Sequence, residues 1–245
     1  MQTVLWKEHA VGEAGGATYV TPLPRLKDAD IWFFTRKGGV SVPPYDSLNV
    51  STLVGDASEA VTENLSRIQT VMGERSPAWV RQVAGDSVVA VERPGLAGEG
   101  DALVTGESSF ALAVAVADCV PVALVGEGIV GMVHSGWRGT LSGISARAAS
   151  GMGREVRAYI GPGIRRCCYE ISEELAERFA GRFGEEVVSG RYLSLPGAIR
   201  RNLEEAGVSE VYDLELCTAC RTDLFYSHRK EGPKTGRNLA AMALN

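Results

Sequence analysis

The stretch from Ala117 to Thr140, with the apolar run that leads into it, constrains this chain more than any other. Two short apolar runs, residues 111–116 and 129–133, have the length of buried strands, and each leads to a residue able to do chemistry. Cys119 follows the first run and His134 follows the second, ahead of S-G-W-R-G-T and a helix-like pattern. The fold must therefore hold strand ends that deliver a thiol and an imidazole near a helix start. The close spacing and the G-E-G turn between the runs suggest an antiparallel pair. Such a pair would leave Cys119 and His134 at opposite ends, so a crossing or an intervening strand is needed for them to meet.

Strands and helices are mixed elsewhere without strict alternation. Residues 1–27 read as an edge hairpin and residues 31–35 (I-W-F-F-T) as a strand. A long loop follows, irregular because of Gly38–Gly39 and Pro43–Pro44; ordered loops of this length tend to carry function. Residues 56–72 are the clearest helix, with Asp56 and Glu59 at capping-box spacing, Val61, Leu65, Ile68 and Met72 on one face, and Gly73 as the stop. Residues 78–92 read as strand, Gly-Asp turn, strand, and residues 101–105 as a further strand. Helices are expected at 141–150, at 172–183 capped by Ser172, and at 196–206 with Pro196 in the first turn. Strands are expected at 156–160, 211–216 and 224–227, and a short Ala-rich helix within 236–244. There is no internal repeat and no linker. The mixture predicts an α+β or mixed α/β fold, one domain over residues 1–245.

Composition narrows the partners. A net charge of −5 argues against nucleic acid, which asks for a strong basic surplus. The longest apolar stretch, residues 110–125, is interrupted by Asp118 and Pro121 and falls short of a membrane span. With no signal-like N-terminus, a cytoplasmic protein is expected. The five cysteines include a vicinal Cys167–Cys168 and a C-x-x-C at Cys217 and Cys220. That spacing is a poor match to a two-pair zinc module, and two small residues in a turn is the simpler reading.

The candidate site residues are Cys119 and His134. A buried structural thiol and a core histidine are the plain alternatives, but Asp118 and Pro121 interrupt the strand beside Cys119. Gly136 and Gly139 allow close backbone approach at the helix start, expected near Thr140. Arg36, Arg138, Arg229 and Arg237 are possible anion contacts, each equally readable as a solvated cation, and His228 either reaches the site or ends a strand.

Assembled, these stretches resemble the peptidoglycan editing factor family, also called the laccase-domain or multicopper polyphenol oxidoreductase family. The segments are T-R-K-G-G-V-S, P-Y-D-S-L-N, R-Q-V-A-G-D-S-V, A-D-C-V-P, V-H-S-G-W-R-G-T, Y-I-G-P-G-I, C-Y-E-I and F-Y-S-H-R-K-E-G-P-K-T-G-R. The resemblance implies stacked mixed β-sheets flanked by helices, similar to cysteine hydrolases. It implies zinc-dependent purine nucleoside phosphorylase activity on adenosine, inosine, guanosine and methylthioadenosine, with adenosine deaminase activity. Small-molecule partners, a purine nucleoside and phosphate, follow. Catalytic roles would fall to Cys119, His134 and Arg36, and substrate or phosphate contacts to Arg138, Arg237, Asn49 and Gln82.

The family holds its metal with the Cys of A-D-C, the His of V-H-S-G-W-R-G and a His after Q-V. The first two carry over as Cys119 and His134; the third position is Ala84. A catalytic zinc normally has three protein ligands. A disabling substitution, a natural departure, and replacement by His228, where the family more often has Tyr, all remain open. Copper ranks below zinc, since three histidines cannot fill a multicopper centre. The alternative function is a metal-free cysteine hydrolase using Cys119 and His134, including editing of cell-wall precursors.

Overall fold

A computed structural model describes residues 9–245. In chain order the elements begin with β1 (His9–Ala14), β2 (Ala17–Pro22), β3 (Ala29–Phe34), α1 (Ser58–Val71), β4 (Pro77–Arg81), β5 (Val88–Ala90), β6 (Gly95–Glu99) and β7 (Ala102–Thr105). The middle of the chain forms β8 (Ala111–Val116), β9 (Val120–Gly126), β10 (Ile129–Ser135), α2 (Trp137–Leu141), α3 (Ile144–Ser150) and β11 (Arg157–Ile160). It ends with α4 (Glu173–Phe183), β12 (Val188–Ser189), β13 (Tyr192–Leu193), α5 (Leu195–Glu205), β14 (Glu210–Asp213), α6 (His228–Glu231) and β15 (Asn238–Leu244).

The strands build two large mixed sheets and a small hairpin, β12 with β13. One sheet has the order β1-β2-β3-β15-β8-β4-β6, the other β14-β11-β9-β10-β7-β5. Their facing sides share a core in which Phe33, Leu112 and Val114 of the first meet Leu103, Val125 and Met132 of the second. The outer side of the second sheet packs Val122, Leu124 and Val133 on α3, α4 and α5 through Ile144, Phe179 and Leu203. The outer side of the first packs Trp32, Phe34 and Ala241 on α1 through Ile68 and Met72. The result is a mixed α+β stack of helix, sheet, sheet and helix, held by side chains each worth about 1.5–3 kcal/mol when fully buried.

Several sequence expectations change. The tail N-L-A-A-M-A-L is the central strand β15, antiparallel to both β3 and β8, and not a helix. Leu239, Ala241 and Ala243 face the α1 side while Ala240 and Met242 face the inter-sheet core. Small side chains let two sheet faces be covered at once, which outweighs their helical preference. β4 and β5 are not a hairpin: β4 runs parallel to β6 and β8 in one sheet, β5 parallel to β7 in the other. The strand expected at 224–227 is a turn leading into α6. Asp56 does not cap α1; its carboxylate instead accepts from Ser41 Oγ and Asn49 Nδ2, pinning the long loop. Ser172 does cap α4, accepting from the Leu175 amide. Among the described residues, no helix is long and apolar enough to cross a membrane.

Candidate active site and cysteine cluster

The chain changes sheets at residues 117–119, between β8 and β9. Asp118 makes the turn with a left-handed φ of 87°, a conformation Asp tolerates better than most side chains. Its Oδ1 accepts from Thr218 Oγ1 and Ser227 Oγ, each at 2.7 Å, and its Oδ2 from the Arg229 amide at 2.6 Å. Its carbonyl accepts from the Ile164 amide at 2.8 Å. Three remote segments thus brace the turn that presents Cys119.

The runs at 111–116 and 129–133 are not the expected antiparallel pair: β8 and β10 lie in different sheets, and β9 intervenes and pairs with β10. Its antiparallel register with β10 sets Pro121 opposite His134 and Val120 opposite Ser135. Cys119, just before Val120, therefore lies beside the end of β10. Both side chains close over Gly136: a Cβ there would stand 3.1 Å from Cys119 Sγ and 4.0 Å from His134 Cε1. That crowding explains the glycine. The following helix α2 opens at Trp137, with Gly136 as its N-cap, three residues earlier than the expected start at Thr140.

Asp101 orients His134. The His134 Nδ1 is 2.7 Å from Asp101 Oδ1, and the His134 amide donates to the Asp101 carbonyl at 2.7 Å. The fully buried Asp101 carboxylate also accepts from the amides of Val83, Ala84 and Gly85 at 3.2, 3.1 and 2.7 Å. Burial alone would raise this carboxyl, but His134 and the amides outweigh it and hold the pKa below its ordinary value. Burial likewise opposes charge on His134, yet attraction and hydrogen bonding to Cys119 and Asp101 raise its pKa to about 9. With Nδ1 committed to Asp101, Nε2 is the ring nitrogen left for chemistry.

Cys119 and His134 line a cleft of about 470 Å³ together with Gln82, Tyr169, Arg229 and Arg237. Trp137 and His228 stand in the same wall. Gln82 is held by a two-way bond to Ala115, its Nε2 donating to the carbonyl and its Oε1 accepting from the amide. Arg237 is anchored by donation from Nη1 to the carbonyls of Thr235 and Gly236, and burial lowers its pKa despite Cys119 and Asp118 nearby.

The other expected site residues stand outside this lining. Arg36 is buried, stacked 4.4 Å over the Tyr226 ring, and donates to the carbonyls of Asp46 and Thr222 and to Glu231 Oε1. Asn49 is fully buried and accepts from the Arg237 amide, so it positions the neighbouring backbone. Arg138 is exposed and lies 4.4 Å over the Trp137 ring. Sequence reading missed Asp101 as a functional group; a carboxylate at the head of a short strand carries no signal until its partner is known.

The donor set falls short of a catalytic zinc. Cys119 and an Asp101-oriented His134 are two suitable ligands, and the carboxylate behind the imidazole is the usual support for one. The third family position, Ala84, sits with φ 56° on the loop that donates to Asp101, and its methyl offers no donor. His228 shares the cleft, but among the described residues Cys119, His134 and His228 do not gather as a ligand group.

Four other side chains do gather. The Sγ atoms of Cys167, Cys168, Cys217 and Cys220 all lie within 4.8 Å of one another, a set that could hold a metal ion. The two pairs, unpromising in sequence, are brought together by β11 and β14, which run parallel and release their loops side by side. Burial pushes the Cys217 thiol up, but the amides of Cys220 and Arg165, with Cys167 and Cys220, hold it below its ordinary value.

The comparisons with known proteins agree with this architecture. A family model described as multi-copper polyphenol oxidoreductase laccase matches residues 30–245. A purine nucleoside phosphorylase of Deinococcus radiodurans is 39% identical over 227 residues, 86% of this chain and 88% of that protein. The crystal structure of YlmD from Geobacillus stearothermophilus aligns over 100% of both chains with a TM-score of 0.84 at 29% identity. That of Neisseria meningitidis protein NMB0706 gives 0.83 at 30% identity, covering 93% of this chain and 99% of that one. The chain belongs to the multi-copper polyphenol oxidoreductase laccase family, the laccase-domain family that its sequence motifs resemble.

Proposed function

We propose that this chain is a purine nucleoside phosphorylase acting in the Cys119–His134 cleft. The observation that carries the reading is the succession Asp101, His134 and Cys119 in a cleft walled by Arg229 and Arg237. Relatives named purine nucleoside phosphorylase support it. In phosphorolysis a phosphate oxygen bonds to ribose C1′ while the bond from C1′ to the purine nitrogen breaks. The electron pair leaves with the base, which takes up a proton, and the products are ribose 1-phosphate and the free purine.

The residues suit those demands. The exposed Arg229 and the half-buried Arg237 offset phosphate charge, and around Arg237 such a contact is stronger than in open water. Trp137 and Tyr169 offer aromatic surface to the base. His134, kept protonated by Asp101 and Cys119, holds the proton at Nε2 that the departing purine needs. Arg36 and Asn49 act by fixing the loops and backbone around the cleft. Action on adenosine, inosine, guanosine and methylthioadenosine, and adenosine deamination, belong to the same proposal. Zinc dependence is a separate part of it: with Cys119 and His134 as its two protein ligands, the site is one short of a catalytic zinc.

The test is incubation of the full chain with each nucleoside and phosphate, with added zinc or with chelator, following ribose 1-phosphate, free base and inosine. Phosphate-dependent release of base supports the proposal. Absence of turnover on every nucleoside, both here and in an Ala84→His variant loaded with zinc, would refute it.

One observation favours a second reading. The Asp101–His134 bond beside Cys119 is also the arrangement of a cysteine hydrolase, with His134 as base and Cys119 as nucleophile. Hydrolysis of an amide in a cell-wall precursor that resists chelators and stops on thiol alkylation would favour that chemistry.

A further inference from the structure

Two loops leave the same end of neighbouring strands in the second sheet. Parallel pairing of β11 with β14 runs from Arg157 opposite Glu210 to Ile160 opposite Asp213. The alignment then continues past the strands, with Gly163 bridging to Cys217, the Gly163 amide donating to the Leu216 carbonyl and the Thr218 amide to the Gly163 carbonyl. Arg165 pairs with both oxygens of Asp213 across the same gap. Cys167 and Cys168 lie in the first loop, Cys217 and Cys220 in the second.

The sulfur spacing suits ligands around a common centre. Cys220 Sγ is 3.4 Å from Cys168 Sγ and 3.5 Å from Cys167 Sγ, and no pair of the four exceeds 4.8 Å. A tetrahedral ion with metal–sulfur bonds of about 2.3 Å asks for sulfurs about 3.8 Å apart. A disulfide would need about 2.05 Å, and all four are free thiols. No histidine or carboxylate joins the group, so all four donors are thiolates. Such a set selects zinc among common divalent ions and leaves no position open for substrate.

We propose that Cys167, Cys168, Cys217 and Cys220 form a structural tetrathiolate zinc site that clamps the loop after β11 to the loop after β14. Its position links it to the cleft. Thr218, next to Cys217, donates to the Asp118 carboxylate that braces the Cys119 turn. Tyr169, next to Cys168, lines the cleft, and the following Glu170 carbonyl accepts from Arg229. Occupation of the clamp therefore stabilises three supports of the cleft without a ligand entering it. This site is separate from Cys119 and His134, and the inference does not depend on the proposed phosphorylase activity.

The test uses the full chain carrying Cys119→Ser and His134→Ala, so that the cleft cannot contribute ligands. The reduced, metal-free protein is titrated with zinc and, separately, with cobalt(II). The expected result is one zinc per chain, a cobalt spectrum with tetrahedral ligand-field and thiolate-to-cobalt charge-transfer bands, and a melting temperature raised by about 5 °C or more on zinc saturation. Adding Cys217→Ser and Cys220→Ser should abolish all three responses. Because that variant can fail to fold, a second measurement uses the unmodified chain: zinc should shield Cys167, Cys168, Cys217 and Cys220 from alkylation. Absence of zinc binding by the reduced chain, an octahedral cobalt spectrum, iron as the ion retained on purification, or unshielded thiols in zinc-saturated protein would each overturn the proposal.

Discussion

The molecule uses its thiols in two contrasting settings. Cys119 stands beside an imidazole, which a buried carboxylate orients, in a cleft lined with arginine and aromatic side chains. The four clustered cysteines have only one another, on two loops released in register by parallel strands. The first arrangement keeps a nitrogen and a sulfur available to a ligand, the second directs all its donors inward. A thiol's neighbours, not its burial, separate the two uses: Cys119 and Cys168 are both half-buried.

The largest expected effect lies in the cleft. Replacing His134 by Ala removes the group placed to move a proton and should lower kcat/KM by about 10²–10⁴-fold, with unchanged circular dichroism. If Cys167→Ser lowers turnover as much in metal-saturated protein, the division between chemical and structural thiols fails. Asp101→Asn comes next. It frees the imidazole and weakens the acceptor for three amides, and should reduce kcat by about 10–100-fold, with a smaller change in KM, read from steady-state kinetics.

Ala84→His sharpens the contrast by supplying the cleft with a third ligand. Its zinc affinity, measured by competition with a chromogenic chelator, should rise about 10–100-fold. No gain would mean that the loop holding the Asp101 carboxylate cannot aim a side chain at Cys119 and His134.

Acid stability probes a support outside both thiol regions. Burial would raise the Glu231 carboxyl, but the Ser227 amide, Arg36 and Thr235 hold its folded pKa below the ordinary value. Its stabilisation is therefore complete above the unfolded value of about 4.3 and lost as pH falls through the folded pKa. The melting temperature of Glu231→Gln should start lower at neutral pH and fall less than that of the unmodified chain on acidification. The smallest effect is expected for Arg138→Ala, which removes an exposed cation–π contact and should cost about 0.5–1 kcal/mol in denaturant unfolding.

Local chemistry made part of this legible in the sequence. Apolar runs broken by Asp118 and followed by V-H-S-G-W-R identify β8, β10 and the thiol–imidazole pair. Period and capping residues identify α1, α4 and α5, and the assembled motifs point to the family. These features are local because hydrophobic period and turn chemistry act over a few residues. Residues 236–244 mark the limit: their alanines favour a helix in isolation, and only the partners β3 and β8 make them a strand.

By itself, then, the sequence determined the α+β mixture, Cys119 and His134 as a pair, and the absence of a histidine at position 84. Tertiary structure alone decided that β9 reverses the chain so that the pair meets, that Asp101 stands behind His134, and that Arg36 belongs to a buried strut. It also decided that two unremarkable cysteine pairs, about 50 residues apart, share one site. Each of those outcomes depends on strand register and sheet order. These are set by burying both faces of two sheets at once, and no short window of residues encodes them.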